Sequence, residues 1–124
     1  MLIARFTVDG FEPRDVGGVD AEWVSVLTFV KTFTSGIIGA GTTLFMFAGE
    51  EGARSYVATE RITGRTEEGG HGSVTVQHGG LESDPGSTFG HIVPGTGTGS
   101  FAGWAGEARI LHDDQGPYFE ISLT

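Results

Sequence analysis

Apolar and polar residues alternate with a period of two in short runs along most of this chain, and Gly, Pro or Asp interrupts each run. Successive side chains of a strand point to opposite faces, so the pattern predicts half-buried strands joined by tight turns. Helix signals are nearly absent. Gly fills 22 of the 124 positions, a supply that suits many turns and close strand approaches. The length is that of one domain, and residues 1–124 are read as a single core.

The first segment, Leu2 to Val8, carries Leu2, Ala4, Phe6 and Val8 on one face, and a loop is expected from Asp9 to about Glu22, marked by Pro13 and Gly17-Gly18. Trp23 to Phe33 and Gly39 to Ala48 are apolar on both faces: Leu27, Phe29 and Phe33 oppose Val26 and Val30, and Leu44 and Met46 oppose Phe45 and Phe47. Strands of that kind are usually covered on both sides. With no helix to cover the outside, another subunit is expected there, hence a homo-oligomer through the Trp23 to Phe47 hairpin.

Arg54 to Thr63 follows, with Tyr56, Ala58, Glu60 and Ile62 on the expected inner face and Arg61 outside. A turn over Gly64 to Gly72 leads to Ser73–His78, where Val74, Val76 and His78 share a face. The remaining expected strands are Ser87 to Val93, Thr98 to Trp104, Glu107 to His112 and Tyr118 to Leu123, the last preceded by the turn residues Asp113-Asp114-Gln115-Gly116-Pro117. Eight or nine antiparallel strands with short connections fit an eight-stranded barrel, a fold that can enclose one small ligand; a β-sandwich is the competing architecture.

Composition narrows the function. A net charge of -9, from 16 acidic against 7 basic residues, argues against nucleic acid and anionic lipid as partners. The chain has no cysteine, so disulfides and thiolate metal sites are unavailable. His71, His78, His91 and His112 are not spaced as zinc ligands, and Asp113-Asp114 reads as a turn rather than a calcium site. Pro94-Gly95-Thr96-Gly97-Thr98-Gly99 lacks the lysine of a phosphate loop and a following helix, and no serine occupies an esterase elbow. No metal and no cofactor is expected. No signal-type apolar run follows Met1, and no segment approaches a membrane span, so a cytoplasmic location is the default expectation.

One constellation could carry chemistry. A turn centred near Glu68 sets Ile62 opposite Val74 and Glu60 near Val76 or His78, which brings Glu60 and His78 into the lumen as direct or diagonal neighbours roughly 5–8 Å apart at Cβ. Burial raises a carboxylate's pKa while an imidazolium lowers it, so such a pair can be poised for proton transfer or can stabilise developing positive charge. Glu60 and His78 are therefore the catalytic candidates, and Tyr56, Ala58, Ile62 and Val76 the candidate ligand contacts. A register-fixing internal ion pair is the structural alternative. Lys31, the one lysine, shares a face with Phe29 and Phe33 but is expected to extend to water. Trp23 and Trp104 are expected in the core or an oligomer contact.

The order Lys31-Thr32-Phe33, Gly36, Gly39, Gly41, then Glu60-Arg61-Ile62-Thr63-Gly64, Gly72-Ser73, Gln77-His78-Gly79 and Val93 to Gly99 resembles the bacterial family called domain of unknown function 3224, from about Phe29 to the C-terminus. The resemblance implies an eight-stranded antiparallel barrel similar to allene oxide cyclase, with a lumen and no assigned activity. Cyclases of that architecture steer an unsaturated substrate by shape and a buried polar group, but none of their catalytic residues maps onto this chain. Three readings follow: a barrel that binds a small apolar or amphipathic metabolite, an isomerase or cyclase acting in the same lumen, or a purely structural oligomeric barrel.

Overall fold

The computed structural model describes residues 1–17, 19 and 22–124. Eight strands follow in chain order: β1 (Leu2–Arg14), β2 (Ser25–Ser35), β3 (Ile37–Ala48), β4 (Ser55–Thr66), β5 (Gly72–Leu81), β6 (Asp84–Ile92), β7 (Gly106–Asp113) and β8 (Gly116–Leu123). Each pairs antiparallel with the next, and β8 returns to β1 through Leu2↔Ile121 and Ala4↔Phe119. That last pairing closes the sheet into a barrel, which excludes the sandwich.

Alternation sets the inside. Ala4, Phe6, Phe33, Ile62, Val74 and Phe119 all point inward and are buried, while their sequence neighbours face out. Local chemistry fixes the register. Gly36 alone joins β2 to β3, at φ +78, a conformation that side chains rarely tolerate. Gly39 and Gly64 are register partners, and a Cβ on either would lie 2.2 Å from a carbonyl oxygen of the other strand, so only glycine permits this approach.

The two ends of the barrel differ. At one end, a 3-10 turn (Gly99–Phe101) delivers Phe101 into the core, where it packs edge-on against Trp104 at 4.9 Å between ring centres. Ile37, Ile92 and Ile121 complete this closed end. The β3–β4, β5–β6 and β7–β8 turns lie at the other end, where Leu27, Phe45 and Phe47 are only half-buried. That end is open.

Two expected boundaries are corrected. Thr98 to Trp104 is not a strand. Thr96 and Thr98 instead lie along the edge of β5, where their hydroxyls accept hydrogen bonds from the Thr75 and Ser73 backbone N–H groups, both at 3.0 Å. These side chains, with the Val93 and Thr98 backbone N–H groups donating to the Thr75 and Ser73 carbonyls at 2.9 Å, complete the ladder where β6 has ended, since β5–β6 pairing stops at Val76↔Ile92. Residues 9–14, expected in a loop, continue β1 after register shifts at Arg5/Phe6 and Val8/Gly10, because bulges let a strand keep its partner through a bend. Of the Gly17-Gly18 pair, Gly18 lies outside the described residues, as do Asp20 and Ala21 of that loop. Among the described residues, no helix is long and apolar enough to cross a membrane.

Candidate functional site

The β4–β5 register is Ile62↔Val74, Glu60↔Val76 and Ala58↔His78, so Glu60 and His78 are diagonal neighbours on the inner face. On the other side of β4, Thr43 of β3 is the partner of Glu60, and Gly41 is in turn the partner of Lys31 in β2. Four adjacent strands therefore bring Lys31, Gly41, Thr43, Glu60 and His78 into one layer of the lumen.

This layer is dry. Glu60 is 0% exposed and Lys31 only 3%. Lys31 Nζ donates to Glu60 Oε1 at 2.7 Å, and His78 Nε2 lies 3.1 Å from the same oxygen. A carboxylate can only accept, so Nε2 carries the proton; in the neutral ring Nδ1 is then the acceptor, and it receives the Tyr56 hydroxyl at 3.1 Å. Aromatic rings wall the cluster. Lys31 Nζ sits 4.1 Å from the Phe6 ring centre, and His78 meets Phe119 edge-on at 5.3 Å.

The electrostatics follow from burial set against pairing. Burial alone would push the Glu60 carboxyl up, but the hydrogen bond from His78 and the Lys31 ammonium together hold it below the usual carboxylate range. Burial lowers His78 despite its bond to Glu60, and the neighbouring Lys31 charge lowers it further. Burial also lowers Lys31, with Glu60 opposing. Tyr56 is pushed up to about 12 by burial and by the Glu60 charge. The layer pairs the Lys31 ammonium with the Glu60 carboxylate beside a neutral His78 imidazole. Its net charge is zero.

The layer floors a recess at the open end. An inner chamber of about 200 Å³ is lined by Phe6, Phe29, Lys31, Thr43, Tyr56 and His78, among others. An outer chamber of about 440 Å³ shares Phe45, Tyr56, Ile110 and His112 with it and adds Leu27 and Phe47. Stacked rings form one wall: Phe45 lies 4.7 Å from Tyr56 at an 18° tilt and 4.9 Å from Phe29. Among the described residues, two buried side-chain polar atoms have no hydrogen-bond partner, Thr43 Oγ1 and Glu60 Oε2.

This architecture, together with the sequence, assigns the family. The family model described as "Protein of unknown function (DUF3224)" matches residues 2–124. The chain belongs to that family. A solved structure of a DUF3224 family protein of unknown function from Shewanella oneidensis MR-1 superposes with a TM-score of 0.78 at 23% identity, covering 99% of this chain and 94% of that one. At that identity the likeness speaks to the barrel alone. No curated protein matches the chain.

Of the candidate residues, Glu60, His78 and Tyr56 lie in one hydrogen-bonded chain, and Ala58 is buried beside them on the inner face. Ile62 and Val76 pack in the closed core below the layer and line neither chamber. Lys31 corrects an expectation: it turns inward instead of reaching water, because Glu60 compensates its charge there. Its parity with Phe33, a core residue, was the available signal. Thr43, Phe45 and Gly41 were not singled out as site residues. A Cβ at Gly41 would lie 2.9 Å from Glu60 Oε2, so this glycine makes room for the carboxylate. Arg61 is outside, bonded to Ser73 at 2.7 Å and Thr75 at 3.2 Å. Among the described residues, no group of three acidic, histidine or cysteine side chains could hold a metal ion.

Proposed function

We propose that this protein is a cytoplasmic binding protein for a small, uncharged amphipathic metabolite, held with its apolar body among Phe29, Phe45, Tyr56 and Ile110 and its polar head on the ionic layer. The observation that carries the reading is a charge-neutral Lys31–Glu60–His78 cluster at the floor of an aromatic recess, with Thr43 Oγ1 unpartnered beside it. Apolar walls with a few convergent polar groups are the usual make-up of a ligand site. A carboxylate or ammonium head faces loss of its charge's hydration in a dry site and competition with the existing Lys31–Glu60 pair. Hydroxyl and carbonyl heads face neither.

Thermal unfolding with 1-octanol, 2-octanone, octanoate and octylamine tests this. The neutral pair should raise the melting temperature in a concentration-dependent way, and Phe45→Ala should weaken the shift. No shift with any of the four, or equal shifts with the charged pair, would overturn it.

An isomerase or cyclase in the same recess is the second reading, supported by the aligned chain from the Tyr56 hydroxyl through His78 to Glu60. Such a chain can move a proton at the Tyr56 oxygen while the charge stays buried. Glu60→Gln and His78→Ala should each slow any conversion that this recess supports; unchanged turnover would dismiss it.

We also propose that the outer face of the barrel binds a second copy of the chain. Val26, Met46, Val57, Gly79 and Phe89 are successive register partners across β2 to β6, which makes one apolar row. Leu44 adjoins it, and no Asp or Glu occupies an outward position of β2, β3 or β4 in a chain with 16 acidic residues. Two such faces can meet without the repulsion that the rest of the surface would impose. Trp23, 65% exposed, stands beside the start of β2.

A further inference from the structure

We infer that Lys31 captures an aldehyde: the ε-amine and the carbonyl carbon of an apolar aldehyde in the inner chamber form a protonated Schiff base, with Glu60 as its counterion. The inference rests on the binding reading above and assigns it a ligand class and a bond. Three features support it. Lys31 is the one lysine of the chain, and it lines the inner chamber within a layer that excludes water. Its ammonium carries three N–H donors, yet Glu60 Oε1 at 2.7 Å is its one hydrogen-bond acceptor among the described residues, and the Phe6 and Phe119 rings, at 4.1 and 5.2 Å, take the rest of its surroundings. An iminium has a single N–H. The site thus satisfies the product's hydrogen-bonding capacity more completely than the free ammonium's, while the charge beside Glu60 is unchanged.

The step balances within the cluster. The ammonium passes one proton to Glu60, and the freed nitrogen lone pair attacks the carbonyl carbon. A second proton moves from nitrogen to the former carbonyl oxygen, which gives a carbinolamine. Glu60 then returns its proton to that hydroxyl, the C–O bond breaks, and water leaves, so that Lys31 ends as C=NH⁺ and Glu60 as carboxylate. The otherwise unpartnered Thr43 hydroxyl, on the register partner of Glu60, lines the chamber where the carbinolamine oxygen forms. Burial, which lowers the Lys31 ammonium, favours the first transfer, while the pairing that holds Glu60 low opposes it, so Glu60 carries the proton only in passing.

Octanal with borohydride reduction tests the inference, since reduction fixes an imine as an octyl amine that peptide mapping locates. The other amine of the chain is the α-amino group of Met1, 85% exposed, which reports unassisted reactivity. At substoichiometric octanal, Lys31 should be labelled at least tenfold more than Met1, 1-octanol should suppress labelling at Lys31 alone, and unfolding in guanidinium should abolish the preference. Lys31→Met/Glu60→Gln, which removes the amine without stranding a buried charge, should leave the Met1 label only. Labelling confined to Met1 while 1-octanol still stabilises the fold would overturn the Schiff base and leave the binding reading intact. Labelling confined to Met1 with no stabilisation by 1-octanol would overturn both.

Discussion

Replacing Lys31 by Met isolates what holds the buried layer together. Methionine keeps most of the stem's packing against Phe6 and Phe119 and removes the ammonium that neutralises Glu60 at 2.7 Å. With the Lys31 and Glu60 side chains only 4% and 0% exposed, the stranded carboxylate has no water to turn to. Breaking such a pair costs roughly 3–5 kcal/mol, a large part of the ~5–15 kcal/mol that holds a typical domain together. At about 3–5 °C per kcal/mol for a chain of this size, the melting temperature should fall by about 10–20 °C at pH 7. Lys31→Met/Glu60→Gln keeps an acceptor for His78 and leaves no charge, so its cost should be less than half that of the single change, and the double-mutant cycle should return a coupling of about 2 kcal/mol or more. The pH dependence carries the sign. In wild type the Glu60 carboxyl is held low, so the stability it contributes is present above its ordinary value of 4.5 and is lost as pH falls through its native value. In Lys31→Met burial prevails and raises that carboxyl, so the native state takes up a proton between neutrality and 4.5 and the deficit shrinks on going from pH 7 to pH 5. Urea melts at the two pH values measure this. A deficit below 1 kcal/mol, or one equal at both pH values, would refute the account of a charge held by its partner.

Three further outcomes are expected. Tyrosinate absorbance should show Tyr56 ionising near pH 12, read as the difference between wild type and Tyr56→Phe; because the native value is raised, stability falls with pH above the ordinary 10.0, and a difference spectrum already complete by pH 10.5 would contradict a buried hydroxyl donating to His78. Gly41→Ala should destabilise by about 1–3 kcal/mol, since its Cβ would meet Glu60 Oε2 at 2.9 Å and the Phe33 ring at 3.1 Å, and a neutral result in urea melts would mean that the carboxylate can shift freely. Sedimentation velocity at micromolar concentration should find an oligomer that Met46→Glu dissociates; a monomeric wild type would remove the proposed contact.

Where the sequence was legible, the reason was parity. Once Ile62 faces Val74, every even-numbered residue from Tyr56 to Ile62 shares the lumen with Val76 and His78, and the positions of Glu60, His78 and Tyr56 follow without knowledge of the closure. The same rule applied to β2 would have turned Lys31 inward with Phe33. Charge prevailed over parity in that reading, because a lone lysine is ordinarily costly to bury, and its compensation by Glu60 two strands away depends on the β2–β3 and β3–β4 registers together. Thr98 to Trp104 failed for a different reason. Phe101 and Trp104 supply apolar residues at strand-like density, but Gly99 and Gly103 take positive φ and let the chain fold back, and part of its hydrogen bonding to β5 runs through the Thr96 and Thr98 side chains, which alternation does not register. The chambers were illegible for a third reason: whether Phe29, Phe45 and Phe47 fill the mouth or line it depends on ring orientation.

The ionic layer is hard to explain as a device for stability. A buried pair of this kind generally gives no more, and often less, than hydrophobic residues of the same volume would, and nearby cores of this barrel show the alternative in Ile62, Val74 and Val76. Register specification is a second possible use, yet closely approaching Gly39 and Gly64, the single-residue turn at Gly36 and the alternation of every strand already fix the β2–β3–β4 register without it. The layer lies where the packed half of the lumen ends and the chambers begin, and among the described residues it leaves the hydroxyl of Thr43, which lines the inner chamber, without a partner on that boundary. Polar groups that neither stabilise nor align, and whose unused capacity lies beside a cavity, are best accounted for by something that enters the cavity and uses it.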